Sequence, residues 1–320
     1  MIKCKMLLCL LLSLSLMFSN FSVSAAKDQG TAKKLFMWEV TPKDDTSGKN
    51  IIYILGSVSL PDSASYPLNK QIDAAYNACE KLIVESDADM LTNTDIQKYL
   101  IKYGMLPKNY TLSKQLTPAI YKKVDSFVKK KSNNKYGIES FIKYKPWVVD
   151  LLLQNMVLKE TLKKSQESMD ATYIAKAKTD KKPVLEMETP EQQYKALASQ
   201  SYYVQIQMLS NNIDASSNVA KKVQSRYDAW ASGNTDAMKK LIFEDSKKDI
   251  YENYYKVMYY DRSIKFADCL DKYLKDGGKY FAVVSAGIVS GETNIIKLLT
   301  DKGYTVKQLE QEQDKNIKKQ

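Results

Sequence analysis

The sequence predicts an α/β (α+β) fold, with a mixed central sheet built from strands at both ends of the chain and a large helical insertion between them. Three observations predict it. Short runs rich in β-branched and aromatic residues lie near the two ends. The middle of the chain carries apolar residues at three- and four-residue spacing. Where the two patterns meet, short apolar strands alternate with helices, as layered folds require.

The first residues read as an export signal. Residues 1–5 carry two lysines and no acid, residues 6–18 are an uninterrupted run of apolar residues and serines, and Ser24, Ala25 and Ala26 supply small residues at the spacing of a cleavage site. The run is shorter than the roughly 20 residues a spanning helix needs. Residues 1–26 are therefore expected to be removed, leaving a secreted or cell-surface product with no transmembrane segment. Cys9 has no small residues before it and is not read as lipid-modified.

Residues 35–40 and 51–55 read as strands joined by the polar turn 42–50. Residues 70–79 read as a helix and 81–85 as a buried strand. The stretch from 89 to 181 should be mainly helical, with helices over 117–131, 146–162 and 170–177. Residues 182–187 interrupt it as a short strand, and helices follow over 190–209 and 249–275. Pro118, Pro146 and Pro190 suit first helical turns. Residues 280–286 form the strongest strand pattern in the chain. A helix over 291–302, closed by Gly303, and a last strand over 304–309 complete it. All six strands are expected in one sheet, and residues 27–320 read as a single domain whose helical insertion covers about 90–275.

The net charge is +11, which becomes about +9 once Lys3 and Lys5 leave with the signal. Only Arg226 and Arg262 are arginine, and the lysines are interspersed with acids along expected helices. That pattern describes a solvated surface, not the arginine forks and concentrated patch of a nucleic-acid binder. Cys79 and Cys269 remain after signal removal, in an oxidising compartment where pairing depends on a Cα separation below about 7 Å.

The chain has no histidine. That excludes a Ser-His-Asp triad, a Cys-His pair, an HExxH helix and any imidazole metal ligand. No phosphate-cradling glycine loop is present, and Ser-x-x-Lys at 126–129 and 132–135 is a chance match in so lysine-rich a chain. Carboxylates remain. Glu85, Asp87 and Asp89 follow the buried strand 81–85 at two-residue spacing, at the kind of strand end where open α/β sheets bind ligands. Oxygen ligands of this type suit Mg²⁺ or Ca²⁺. For Asp87 and Asp89 a plain solvated acidic turn is the favoured reading. Glu85 continues the apolar run, so it should be at least partly buried and need a partner, for which Arg262, one of only two arginines, is a candidate.

These residues resemble a known family. Residues 35–40 (Leu-Phe-Met-Trp-Glu-Val), 53–59 (Tyr-Ile-Leu-Gly-Ser-Val-Ser), 66–68 (Tyr-Pro-Leu) and 82–85 (Leu-Ile-Val-Glu) are similar to the opening of the TraB/GumN family, to which Tiki-type metalloproteases are related. Met169-Asp170 resembles its Gly-x-Asp, with Ser168 in place of the glycine. Residues 183–189 with Gln192 or Gln193 resemble its Leu-Glu-Thr…Gln segment, and Asp261-Arg262-Ser263 its Glu-Arg-Asn. Residues 284–292 resemble its second Gly-x-x-His element, and residues 303–306 its closing Gly-Tyr-x-Val. The order and spacing of these matches cover nearly the whole mature chain.

The resemblance implies metal-dependent hydrolases that carry two histidines and a glutamate at the mouth of a mixed sheet. Here the first Gly-x-x-His keeps Gly56 but ends in Ser59, and the second histidine position falls on Ile288. Glu85 and Arg262 are kept. Serine is a poor neutral ligand and isoleucine is none, so family-type metal affinity should be lost, with no cofactor expected. The expected function is an exported, non-catalytic binding or structural domain with a peptide or protein ligand at the cell surface. The alternative is a hydrolase whose site is rebuilt around a hard divalent cation from Glu85, Asp87, Asp170 or Glu186.

Overall fold

The structure is a computed structural model that describes residues 33–45, 47–60, 68–87, 93–161 and 168–312. The expected signal segment and Asp89 lie outside the described residues. Six strands form one sheet: β1 (Lys34–Thr41), β2 (Ile51–Ser57), β3 (Lys81–Val84), β4 (Val184–Glu186), β5 (Lys279–Ser285) and β6 (Thr305–Glu310), in the order β4-β3-β5-β2-β1-β6. All six are the strands that the sequence patterns predict, with ends shifted by one or two residues.

The sheet is mixed. β1 pairs antiparallel with both β2 and β6. β2, β5, β3 and β4 pair in parallel. The burial patterns follow from position: β5 is enclosed along its five central residues, whereas the edge strand β6 is half exposed along its length. The first is the continuous apolar run of a strand covered on both faces. Because the four parallel strands share a direction, their carboxyl ends at Ser57, Ser285, Val84 and Glu186 lie along one margin of the sheet.

Side chains start the helices as local rules dictate. Thr117 Oγ1 accepts from the Ile120 N–H at 3.3 Å and Pro118 occupies the first position of helix Pro118–Lys131. Thr189 and Gln192 form a capping box ahead of helix Pro190–Ala198. One apolar core wraps the sheet and includes Tyr254, Tyr255, Tyr259 and Phe266. A second lies among the inserted helices, around Val124, Val148, Leu152 and Leu209.

Three helix expectations change. Residues 190–209 form two helices, because Ser201 accepts from the Val204 N–H and starts helix Tyr202–Asp214 afresh. The stretch 249–275 is broken into a 3₁₀ turn, a short α-helix and a wide π turn (Lys256–Tyr260) before helix Asp261–Asp276. The expected helix 291–302 begins only at Ile295, where the Asn294 side chain caps it at 2.9 Å. Residues Ala286–Ser290 form a separate short turn of helix. Cys79 and Cys269 are both free. No described helix is long and apolar enough to cross a membrane.

Candidate functional site at the sheet mouth

The margin formed by the parallel strand ends carries a buried ionic cluster. Glu85 follows β3 directly, and the β3–β4 ladder continues past the strand ends: the Met187 N–H donates to the Val84 carbonyl at 3.0 Å and the Glu188 N–H to the Glu85 carbonyl at 2.9 Å. Glu85 and Glu188 are thereby held side by side. The capping box that begins at Thr189 fixes the direction in which the chain leaves.

Arg262 enters from the first turn of helix Asp261–Asp276. Its Nη2 donates to Glu85 Oε2 and to Glu188 Oε1, each at 2.5 Å, and its Nε donates to Glu188 Oε1 and Oε2 at 3.0 and 3.2 Å. Nη1 donates to the Met258 carbonyl, inside the π turn, at 3.1 Å. The guanidinium also lies over the Phe266 ring at 5.1 Å. The remaining Glu85 oxygen, Oε1, accepts from the Ser285 N–H at the end of β5, at 2.7 Å. Side-chain exposure is 4% at Glu85, 2% at Glu188 and 12% at Arg262, so water screens these charges little. Burial alone would push the Arg262 pKa down, but the charges and hydrogen bonds of Glu85 and Glu188 outweigh it and hold the guanidinium more firmly protonated than usual.

Asp170 completes the cluster. It lies in the first turn of helix Met169–Thr179, which Ser168 caps by accepting from the Ala171 N–H at 3.2 Å. Asp170 is buried. Loss of hydration first, then the nearby Glu85 charge, push its carboxyl up to about 7, against a hydrogen bond with Ser57. Ser57 pairs with Ser285 across β2 and β5, so the cluster spans four strand ends and two helix starts.

The other residues singled out in the sequence are placed elsewhere. Gly56 is pressed against Phe36, where an added Cβ would lie 2.5 Å from a ring carbon, and its carbonyl accepts from Trp230 Nε1 at 2.7 Å. Glu186 is exposed on the edge strand β4, where Oε1 accepts from the Asp87 N–H at 2.5 Å. Asp87 does not stand in the solvated turn expected of it: it is buried, and its carboxylate lies 3.4 Å from Lys178 Nζ, which compensates the charge. Ser59 is half-buried two residues beyond β2. Ile288 stands three residues beyond β5 with no accessible surface, enclosed in the sheet core instead of lining an open cleft. The sequence reading missed Glu188, choosing Glu186 from the same segment. The signal was available in Thr189 and Gln192, whose capping box places residue 188 at the junction of strand and helix.

The donor set at the mouth does not fit a transition metal. No imidazole or thiolate is present, and all four oxygens of Glu85 and Glu188 already accept hydrogen bonds from Arg262 or Ser285. Among the described residues no group of three Asp, Glu, Cys or His side chains could hold a metal ion.

The sequence model of the TraB/PrgY/gumN family matches residues 36–308, most of the chain. No curated protein and no solved structure matches it.

Proposed function

This chain belongs to the TraB/PrgY/gumN family, and from that premise we propose that it is an exported, non-catalytic member, a binding or structural domain built on a hydrolase scaffold. The observation that carries this reading is Ile288, an alkyl side chain with no accessible surface at a position where the resemblance implies a histidine ligand; the pairing of Arg262, a residue that the family pattern keeps, accompanies it. The cation that the buried Glu85 and Glu188 neutralise is a side chain of the protein itself, fixed by five hydrogen bonds from a single guanidinium. The two positions at which the resemblance implies histidine ligands hold a hydroxyl, Ser59, and a buried alkyl group, Ile288. Neither supplies the nitrogen donor that a catalytic zinc takes.

The test is a metal analysis of the purified protein beside a peptidase and esterase screen with and without chelator. The reading expects metal well below one equivalent and no chelator-sensitive turnover. Stoichiometric zinc or manganese, or hydrolysis abolished by chelator, would restore the enzyme. The export element is checked separately, by sequencing the amino terminus of the protein recovered from the cell exterior, which should begin near Ala26.

A further inference from the structure

The positive charge of the chain is concentrated in one place. Residues 93–145 hold twelve lysines against three acids, Asp95, Asp125 and Glu139, a net charge of about +9. The chain from residue 27 onward also sums to about +9, so everything outside this segment is balanced. The segment folds as one lobe of the insertion and supplies Leu106, Leu112, Val124 and Phe141 to the second apolar core. Part of its backbone is doubled on itself. The Leu106 N–H donates to the Lys143 carbonyl, the Leu112 N–H to the Ile142 carbonyl and the Lys145 N–H to the Gly104 carbonyl, each at 2.8 Å. Lys108 and Lys114 on one limb and Lys143 on the other therefore belong to a single short strap.

Four of the twelve lysines are ion-paired. Lys98, Lys108, Lys114, Lys122, Lys130 and Lys143 are exposed and form no ion pair with any described residue. The same lobe carries two of the four large hydrophobic side chains that are exposed among the described residues. Ile101, in the π turn Leu100–Gly104, is 65% exposed, and Tyr110, at the turn between Lys108 and Leu112, is 49% exposed. The lobe contains no arginine.

We propose that this lobe is a docking surface for an anionic lipid bilayer, with Lys108, Lys114 and Lys143 against the headgroups and Ile101 and Tyr110 in the interface. Charge complementarity calls for an anionic partner. Lysine ammoniums are hydrated point charges that require no fixed acceptor geometry. They suit a fluid layer of headgroups better than the forked contacts by which nucleic acids are held. A soluble polyanion would leave Ile101 in water, whereas a bilayer interface takes up both an alkyl chain and a tyrosine ring. The seat is peripheral, as no described helix is long and apolar enough to cross. It uses none of the residues at the sheet mouth, so it stands apart from the question of metal and catalysis.

The test uses residues 27–320, which hold every described element, so that the apolar run 6–18 does not itself enter the lipid. Sedimentation with vesicles of phosphatidylcholine, with and without phosphatidylglycerol, reads the binding. The protein should bind only the vesicles that contain phosphatidylglycerol. Salt near 1 M, where charges are screened beyond about 3 Å, should release it. A lysine at an anionic bilayer is worth about fivefold in affinity, so Lys108→Gln with Lys114→Gln and Lys143→Gln should weaken binding about a hundredfold. These positions are exposed, so the melting temperature should hold. A control with the same change in net charge, Lys240→Gln with Lys265→Gln and Lys272→Gln, also alters exposed lysines but outside the lobe, and should bind nearly as the parent does. Ile101→Ser with Tyr110→Ser should weaken vesicle binding by about fivefold or more. Equal binding with and without phosphatidylglycerol, equal losses in the two lysine triples, or no loss on removing Ile101 and Tyr110 would overturn the proposal. Retention by polyphosphate without binding to vesicles would overturn it as well, and would mark a soluble polyanion as the partner.

Discussion

Replacing Arg262 with alanine should destabilise the protein more than any surface charge change. The variant loses five hydrogen bonds and strands two carboxylates, Glu85 and Glu188, each less than 5% exposed. Removing one partner of a buried ion pair typically costs about 3–5 kcal/mol, most of it the charge left behind. At roughly 2 °C per kcal/mol for a chain of this size, the melting temperature should fall by about 6–10 °C. The deficit should shrink in acid, because an unpaired buried carboxylate takes up a proton and ceases to be a charge. Arg262→Lys keeps the charge but cannot fork to both carboxylates and the Met258 carbonyl, so it should fall between the two. The measurement is chemical denaturation of the three proteins at pH 5 and pH 8, with equal slopes confirming that the folded state is retained. An alanine variant within about 0.5 kcal/mol of the parent at pH 8 would refute the argument that this cluster holds the sheet mouth together.

Three further outcomes are expected. Asp170 is held near 7 in the fold against an ordinary value of 3.8, so the folded state binds its proton more tightly than the unfolded chain. The stability this gives is complete below pH 4 and is lost as the pH rises through 7; Asp170→Asn, neutral throughout, should flatten that part of a pH–stability profile, and an unchanged slope would contradict the burial argument. Gly287→Ala would place a Cβ 2.2 Å from Tyr259 Cε1, and that ring is wedged against Phe243 and Tyr255, so the substitution should cost about 1–3 kcal/mol by denaturant titration and be relieved in part by Tyr259→Leu. Ile288→His should put an imidazole without a designed partner into a core position that has no accessible surface, and should cost about 2–4 kcal/mol by denaturant titration; a loss below about 0.5 kcal/mol would contradict the core placement.

The sheet was legible because its strands are short, apolar and set off by polar turns. The period-two and continuous apolar patterns of residues 35–40, 81–85 and 280–286 leave few alternatives. The pairing of Glu85 with Arg262 was also legible, since a carboxylate that continues a buried strand needs a cation and the chain has only two arginines. Less visible were the features set by packing. The break at residues 199–201 depends on Ser201 acting as a cap, and serine serves equally well inside or before a helix. The π turn before Arg262 sits among four tyrosines whose helical spacing reads as one continuous helix. Ile288 was expected at a cleft because the resemblance places a histidine there. The structure instead makes it core, as its chemistry favours once no metal is to be held. The glycine of the first Gly-x-x-His-like element has a reason of its own, since Phe36 lies against Gly56 whatever stands three residues on; Gly287, directly before Ile288, lies against Tyr259.

The position of β5 has a consequence for how the chain is made. It lies between β2 and β3, with Ile51 beside Lys279 and Lys81 beside Tyr280. On an elongating polypeptide, the β1–β2 hairpin and β3 emerge early, and the strand that joins them emerges only after every inserted helix. Until then β2 and β3 each present a bare apolar edge, and the late arrival must slot between two waiting neighbours instead of adding at a margin. Such keystone closure over long sequence separation makes for slow folding and for edges open to mispairing in the meantime. A truncation that stops short of β5 should therefore yield insoluble protein, not a smaller folded one.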